Sequence, residues 1–199
     1  MYRKGNKKMK KVQPIRDIKK IRAIKGNLKK RNPRDFLLFT LGINTGLRIS
    51  DILKLKVEDV KDQAGNIREY LDLNEKKTKK QRLIYINDEV KSALEYFFKK
   101  TGIYDLDRYL FVSEKSEENK PITRIRAWQL LQSWCREVGI EGRIGTHTLR
   151  KTTGYQMRMA GVAIELIQEV LGHQSISMTK KYLGITDDEI TKVLKKFNL

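Results

Sequence analysis

Residues 36–43 form an almost entirely apolar run, and this run is the strongest constraint on the fold. Asn32 and Pro33 precede it in the order typical of a helix start, with Asn32 as the cap and Pro33 at the first helical position. Gly46 breaks the pattern shortly after it. A helix that is apolar on nearly all sides must be surrounded by other elements. We therefore predict a central core helix around which the rest of the chain packs.

Hydrophobic periodicity predicts further helices on both sides of this core helix. Isoleucines at helical spacing among lysines predict a basic amphipathic helix from Pro14 to about Gly26, and a second short helix follows Gly46 at residues 47–55. The remaining predicted helices are 88–100, with Asn87 as cap; 123–138, with Ile125, Trp128, Leu131 and Trp134 or Cys135 inward; 147–159; 163–171, ended by Gly172; one that holds Tyr182 and ends at Gly184; and a last amphipathic one that Thr186 or Asp187 caps.

Two segments with loose alternation of apolar and polar residues, 67–73 and 82–86, flank a lysine-rich stretch. This pattern predicts a β-hairpin with a polycationic turn. Residues 108–112 are either a short strand or a connector. The predicted fold class is therefore mainly α with a small antiparallel β-hairpin or sheet.

The charge of the chain is strongly basic and favours a polyanionic partner. Lysine and arginine number 43 against 24 acidic residues, for a net charge of +19. Such an excess indicates nucleic acid or an anionic membrane surface. No apolar run approaches the roughly 20 residues of a spanning helix, and no signal peptide is visible, so a membrane is the weaker option. We expect a cytoplasmic, nucleoid-associated protein.

Cysteine and histidine usage argues against metal or disulfide chemistry. The single cysteine, Cys135, excludes an internal disulfide and lies in a tryptophan-flanked run that predicts a small core residue. The two histidines have no familiar zinc spacing with it, and no Walker or dinucleotide glycine pattern is present. We expect neither a metal nor a cofactor.

Both histidines, His147 and His173, fall in residues 145–182. If Thr146 caps a helix that begins at His147, then His147 and Arg150 project from one face of its first turn and can reach a single anion there. An ordinary solvated pair is the alternative for an isolated His-x-x-Arg. Earlier in the chain, Arg48 follows a predicted turn. It is either paired with Asp51, or a preorganised anion receptor, or both.

The combination of these motifs resembles the tyrosine recombinase or phage integrase family. The resemblance rests on residues 45–52, the lysine-rich hairpin, residues 147–150, residues 171–173 and Tyr182, and covers roughly residues 32–184. It implies a tyrosine recombinase catalytic domain that takes part in DNA recombination and integration by mobile elements. It also implies cutting and rejoining of DNA through a 3′-phosphotyrosyl intermediate, without metal or ATP.

The resemblance assigns a role to each matching residue. Tyr182 is the nucleophile, Arg48 and Arg150 clamp the non-bridging phosphate oxygens, and His147 and His173 donate hydrogen bonds or move protons. A tyrosine with an ordinary pKa of about 10 is a poor nucleophile, so the cationic pocket must help it ionise. The remaining expected roles are the general acid at Lys77, the orientation of Arg48 by Asp51, and DNA contacts by Lys76, Lys79, Lys80 and Lys151.

The predicted domain organisation has three parts: a basic N-terminal tail, residues 1–30, with a helix predicted within it; a catalytic domain, 31–185; and a C-terminal helix, 186–199, of the kind that the family exchanges between protomers. Most members carry a separate DNA-binding domain before the catalytic domain. This chain is thus either an isolated catalytic domain or a short member, similar in length to the recombinases that invert fimbrial promoters. Expected partners are double-stranded DNA and accessory DNA-bending proteins. We expect a monomer in isolation and a homotetramer on DNA.

Three alternatives remain open on the sequence. A type IB topoisomerase shares the phosphotyrosine step but rejoins the original ends. A non-catalytic DNA-binding protein derived from an integrase would hold phosphate without cutting it. A ribosomal or RNA-binding basic protein explains the charge but not the two histidines. Neither the target site nor the choice among integration, excision, inversion and resolution can be read from the residues.

Overall fold

A computed structural model describes residues 12–74, 81–113, 118–185, 191 and 194–195. Within these ranges the chain forms helices and one two-stranded antiparallel sheet, which confirms the predicted fold class. The elements are α1 (Ile18–Arg31), α2 (Pro33–Thr45), α3 (Ile49–Ile52), α4 (Val57–Val60), β1 (Tyr70–Asn74), β2 (Gln81–Tyr85), α5 (Asp88–Thr101), α6 (Arg124–Glu137), α7 (Thr148–Met159), α8 (Ile164–Leu171) and α9 (Ile176–Leu183).

Helix α2 is the central helix that the sequence predicts. The Asn32 side chain accepts a hydrogen bond from the Asp35 N–H at 3.1 Å, with Pro33 in the first turn. Gly46 ends the helix in a left-handed conformation, with φ 63°. All residues from Asp35 to Gly42 are buried, and α2 packs against α1, α5 and α7. The core therefore surrounds α2, as expected of a helix that is apolar on nearly all sides.

Helix α1 begins and ends later than predicted: it starts at Ile18, after the Asp17 cap, and not at Pro14. It continues through Gly26 to Arg31, and it buries Ile21, Ile24 and Leu28 against the same core. The backbone N–H of Asn32 bonds to the Leu28 carbonyl and so closes α1 at the residue that caps α2. Packing of three apolar side chains outweighs the low helix propensity of one glycine, which amounts to about 1 kcal/mol.

The hairpin is confirmed. Strands β1 and β2 pair in a register that runs from Tyr70 opposite Tyr85 to Asn74 opposite Gln81. Leu71 is fully buried beneath the sheet, whereas the rings of Tyr70 and Tyr85 contact each other on its exposed face. Residues 108–112 form a connector, with isolated bridges but no strand in this part of the described chain.

The inward face of α6 was predicted partly wrongly. Ile125 is 68% exposed and Trp128 is 41% exposed, and the buried residues of this helix are Ala127, Leu131, Trp134 and Cys135. The sequence offers two stripes at helical spacing, and the buried one begins at a small alanine. Cys135 lies in the core, as predicted, and its burial raises the pKa of the thiol to about 12.

The described ranges contain no helix long and apolar enough to cross a membrane. They also contain no group of three or more histidine, cysteine, aspartate or glutamate side chains placed to hold a metal ion. The predicted last helix, 186–199, lies outside the described residues except for residues 191, 194 and 195, and so do residues 1–11 of the predicted tail.

Gly42 allows α2 and α7 to pack closely, because a Cβ atom there would lie 2.5 Å from Leu149 Cδ1 and 3.2 Å from Leu149 Cβ. We expect Gly42→Ala to lower the free energy of unfolding by about 1–3 kcal/mol, despite the better helix propensity of alanine. Gly26→Ala is the matched control, since no atom lies within 4 Å of the added Cβ in α1. It should raise the free energy of unfolding by about 0.5–1 kcal/mol. Urea unfolding measures both, and equal effects would contradict the packing argument.

Candidate active site

The first turn of α7 begins one residue later than predicted. Thr146 was expected as the cap, but the helix starts at Thr148, with His147 in the cap position and no side-chain capping bond. Instead, the Thr148 hydroxyl accepts a hydrogen bond from the Gly145 N–H at 3.1 Å, and the Thr148 N–H donates to the Gly145 carbonyl at 2.8 Å. This reciprocal pair fixes the turn that presents exposed His147 beside buried Arg150.

Arg150 is only 2% exposed, and its guanidinium joins two other elements. Nη1 donates to the Gly46 carbonyl at the end of α2, at 2.6 Å, and Nη2 donates to the Leu171 carbonyl at the end of α8. Burial lowers the pKa of Arg150 to about 10, although the nearby Tyr182 raises it. The side chain is therefore still charged at neutral pH.

The end of α8 supplies acceptors because of how that helix stops. Gly172 adopts a left-handed conformation with φ 56°, its N–H bonds to the Glu169 carbonyl at 2.9 Å, and the His173 N–H bonds to the Gln168 carbonyl at 3.0 Å. This pair of hydrogen bonds is the Schellman motif. It leaves the last carbonyls of α8 for other donors at the negative end of the helix dipole.

Arg48 lies between α2 and α3 with an exposed side chain. Its carbonyl accepts hydrogen bonds from the N–H groups of Asp51 and Ile52 at 2.9 and 3.1 Å, which anchors the backbone. Its charge lowers the pKa of both histidines, so it faces the same pocket as Arg150. Within the described ranges no ion pair joins Arg48 to Asp51; Asp51 Oδ1 instead accepts from the Ser50 hydroxyl at 3.3 Å.

His147 and His173 are both biased toward the neutral form. Partial burial of the imidazole, and then the charge of Arg150, lower the pKa of His147, although the residue as a whole is exposed. The same two causes lower the pKa of His173 to about 4. His173 Nδ1 lies 3.1 Å from the Thr179 hydroxyl, which also lies 3.2 Å from the Ser175 carbonyl. The Thr179 hydroxyl has one hydrogen and can donate it either to Nδ1 or to the Ser175 carbonyl. If it donates to Nδ1, the neutral His173 carries its proton on Nε2, which is then a donor.

Tyr182, on α9, has its hydroxyl buried in this pocket. Its ring packs edge-on against His173 with centroids 4.9 Å apart, and the Lys151 ammonium lies 5.0 Å from the ring centroid. No described residue is aligned for a hydrogen bond to the hydroxyl; Arg150 acts on it mainly through its charge. Burial raises the pKa of Tyr182 to about 12, against the opposing charges of Arg150 and Arg48.

Two cations near the site were not predicted. Arg82, on β2, donates to the Val170 carbonyl, and its charge lowers the pKa of His173. Arg124, at the start of α6, lowers the pKa of His147. One signal for Arg82 was available: it shares a strand face with Ile84, whose neighbour across the hairpin is the buried Leu71, and an arginine on an inward face is unusual.

The structure thus brings Arg48, His147, Arg150, His173 and Tyr182 together, with Lys151 beside them. Four other predicted residues, Lys76, Lys77, Lys79 and Lys80, lie outside the described residues. The groups that act on the pKa of His173 and Tyr182 are all arginines, and none in the described part of the chain is a carboxylate. A pocket with this excess of positive charge is suited to a strongly anionic group such as a phosphate.

Comparison with known proteins assigns the family. A model described as "Phage integrase family" matches residues 15–189. The chain belongs to the phage integrase family. The match includes α1, which the motif resemblance had left out, and α1 packs into the same core as the rest.

Relatives of this integrase-family chain carry recombinase names. A probable integrase/recombinase, YoeC, of Bacillus subtilis strain 168 is 41% identical over 186 residues, which cover 94% of this chain and 97% of the relative. Tyrosine recombinase XerA of Pyrococcus furiosus is 30% identical over 166 residues, covering 83% of this chain and 55% of the relative. The chain therefore spans about half the length of that relative.

The fold of this family member also matches a solved structure. A crystal structure of XerH site-specific recombinase, bound to palindromic difH substrate in a post-cleavage complex, superposes with a TM-score of 0.71. The sequences are 20% identical, and the match covers 92% of this chain and 51% of that one. At this identity the likeness shows the fold.

The low pKa of His173 gives a pH dependence with a definite sign. Between about pH 6.5 and pH 4 the unfolded chain binds a proton at this histidine and the folded chain does not, so the free energy of unfolding falls as pH is lowered through this window. We expect the loss of stability from pH 7 to pH 5 to be smaller in His173→Gln than in the wild type. In His147→Gln the remaining imidazole NMR signal should titrate below pH 5; a midpoint near 6.5 would contradict the burial argument.

The unpartnered hydroxyl of Tyr182 predicts an effect on stability. Tyr182→Phe removes a buried polar group but keeps the ring against His173. We expect the free energy of unfolding to rise by about 1 kcal/mol, because the folded state no longer desolvates an unpaired hydroxyl. Tyr104→Phe is the control, since Tyr104 is 63% exposed, and it should change little. A destabilised Tyr182→Phe protein would mean that the hydroxyl has a partner in solution.

Proposed function

We propose that this chain is a site-specific DNA recombinase that cuts and rejoins DNA through a covalent 3′-phosphotyrosyl bond to Tyr182, without metal or ATP. One observation carries the proposal: the Tyr182 hydroxyl is buried in a pocket with Arg48 and Arg150, and the Lys151 ammonium lies 5.0 Å from the centroid of its ring. A nucleophile next to unneutralised cations is what attack on a phosphodiester requires. Names and DNA complexes among the relatives support the same reading.

The two arginines of the motif have complementary roles at the phosphate. The two carbonyl bonds of Arg150 use two of its five N–H donors and fix the plane of the guanidinium. Its other donors can hold a non-bridging phosphate oxygen in that fixed orientation. Arg48 is exposed at the rim and can close on the second oxygen. Both charges oppose the negative charge that grows on the phosphoryl group in the transition state.

Activation of Tyr182 must coincide with attack. With a pKa of about 12, only about one molecule in 100,000 carries the phenolate at pH 7. The hydroxyl proton therefore passes to an acceptor as the oxygen–phosphorus bond forms. His147 is one candidate acceptor, because its pKa is lowered toward neutral imidazole. His173 is the other in the tautomer whose Nδ1–H donates to the Thr179 hydroxyl, since Nε2 is then unprotonated. A bound phosphodiester would also offset the positive charge that, after burial, lowers the pKa of these imidazoles.

The leaving group needs a proton donor on the opposite side. As the tyrosine oxygen bonds to phosphorus, the bond from phosphorus to the 5′ oxygen breaks, and that oxygen takes a proton. We assign this donor to Lys77 in the hairpin turn, with Lys76, Lys79, Lys80 and Lys151 as phosphate contacts. The 5′ hydroxyl of a second strand then attacks the phosphotyrosine and completes exchange. A type IB topoisomerase would return the original 5′ hydroxyl, and a decayed integrase would cut nothing.

We further propose that the protein is monomeric alone and tetrameric on DNA. A net charge of +19 opposes self-association in solution, and DNA removes that repulsion. The C-terminal segment, residues 186–199, is the proposed exchanged element, with Ile190, Val193, Leu194 and Phe197 on one apolar stripe. Participation of DNA-bending proteins and location at the nucleoid remain predictions.

A suicide substrate tests the chemistry directly. Duplexes of randomised sequence, nicked at a fixed position so that the cleaved 5′ end diffuses away, are incubated with protein in the presence of EDTA and run on a denaturing gel. We expect a covalent protein–DNA band with the wild type and none with Tyr182→Phe. Sequencing of the trapped DNA would define the target site.

Two comparisons make this result decisive. Tyr104→Phe should form the covalent band like the wild type, because Tyr104 is exposed and is not one of the residues of the Tyr182 pocket. A band with Tyr182→Phe would exclude Tyr182 as the nucleophile. Exchange of strands between two intact duplexes, measured beside relaxation of a supercoiled plasmid, separates a recombinase from an enzyme that only relaxes DNA.

A further inference from the structure

Arg82 has a position in the fold that the five motif residues do not explain. It lies on β2, half-buried, opposite Leu73 of β1. Its Nη2 donates to the Val170 carbonyl, and its guanidinium covers Gly172 so closely that a Cβ there would lie 3.0 Å from Nη1 and 3.3 Å from Cζ. The hairpin is thus bound to the end of α8 through an arginine side chain.

Arg82 and Arg150 share one anchor. The carbonyls of Val170 and Leu171 are neighbours at the end of α8, and one accepts from Arg82 and the other from Arg150. The charge of Arg82 also reaches the pocket, since it lowers the pKa of both Arg150 and His173. A shift of the hairpin relative to α8 would therefore disturb the contact beside the Arg150 anchor.

The lysines that the proposed mechanism needs lie, in sequence, between β1 and β2. Lys77 precedes Arg82 by five residues, so β2 leads directly from the turn to the anchored arginine. A two-stranded hairpin is at best marginally stable alone, and its position depends on what it packs against. Leu71 anchors β1 in the core, and Arg82 anchors β2 on α8.

We propose that Arg82 is a positioning residue that holds β2, and through it the β1–β2 hairpin, against the helix end that also orients Arg150, and that proton donation by Lys77 depends on this contact. This inference rests on the proposed recombinase function and adds to it a residue outside the phosphate-binding set. Arg82 acts through the hairpin. Loss of Arg82 therefore impairs protonation of the leaving group more than it impairs DNA binding.

A change of leaving group tests this role. In a substrate with sulfur in place of the 5′ oxygen at the cleavage site, the leaving thiolate needs no proton, because a thiol has a pKa several units below that of an alcohol. With normal DNA at saturation, Arg82→Gln should cleave about 10–100-fold more slowly than the wild type, with little change in the DNA concentration at half-saturation. On the sulfur substrate most of this loss should disappear. Lys77→Ala gives the benchmark for loss of the acid.

Arg68→Gln is the matched control. Arg68 lies just before β1 and donates from Nε to the Glu58 and Lys61 carbonyls, so it also ties this region to backbone acceptors, but not to α8. The Arg68→Gln variant should cleave normal DNA at a rate within about twofold of the wild type. Urea unfolding and circular dichroism of each variant check the fold, and Arg82→Lys, which keeps the charge but not the fork, should recover only part of the rate.

Each remaining outcome counts against the inference. An equal loss for Arg82→Gln on both substrates would mean that Arg82 acts on the phosphate or on Tyr182. A wild-type rate for Arg82→Gln on normal DNA would mean that the hairpin needs no such anchor. Failure of the wild-type protein to form a covalent complex with either substrate would overturn the proposed function itself, and this inference with it.

Discussion

The buried guanidinium of Arg150 is the interaction on which the rest of the site depends. Removing a charged group from water is costly unless hydrogen bonds compensate for the lost solvation. Here the compensation comes from backbone carbonyls of Gly46 and Leu171, not from a carboxylate, so the positive charge is not neutralised. The same bonds hold the ends of α2 and α8 against α7. One side chain therefore assembles three helices and keeps its charge available for a phosphate.

The Tyr182 pocket shows the opposite balance. The buried hydroxyl of Tyr182 has no hydrogen-bond partner, which lowers the stability of the protein alone. The raised pKa of about 12 lowers the reactivity of the phenol. Such a feature is typical of functional sites, where a local loss of stability is tolerated for the sake of chemistry. In this chain the charges around Tyr182 suit an anion. A bound phosphodiester would partner the arginines and change the electrostatic surroundings of Tyr182.

Local signals in the sequence predicted much of this structure. Asn32, Asn87 and Gly172 end or begin helices at the expected positions, because capping depends on a few neighbouring residues. Predictions that depended on tertiary packing were less accurate. Ile125 and Trp128 were assigned inward on periodicity alone, and only the surrounding helices decide which of two stripes is buried.

The predictions for the site residues show the same difference between local signals and tertiary packing. Arg48, His147, Arg150, His173 and Tyr182 could be found from their order and spacing, and the structure places them in one pocket. The prediction of Thr146 as the cap of α7 was wrong: the helix starts at Thr148, whose hydroxyl accepts a hydrogen bond from the Gly145 N–H. The expected Arg48–Asp51 pairing is absent from the described residues, since Asp51 bonds to Ser50. The contact of Arg82 could not be predicted from a motif, because its partner is a main-chain carbonyl far along the chain. That carbonyl also makes the contact insensitive to the identity of the residue that supplies it. Any side chain that keeps α8 helical at position 170 presents the same oxygen, so a mutational scan would detect this contact at Arg82 and Gly172 but pass over Val170.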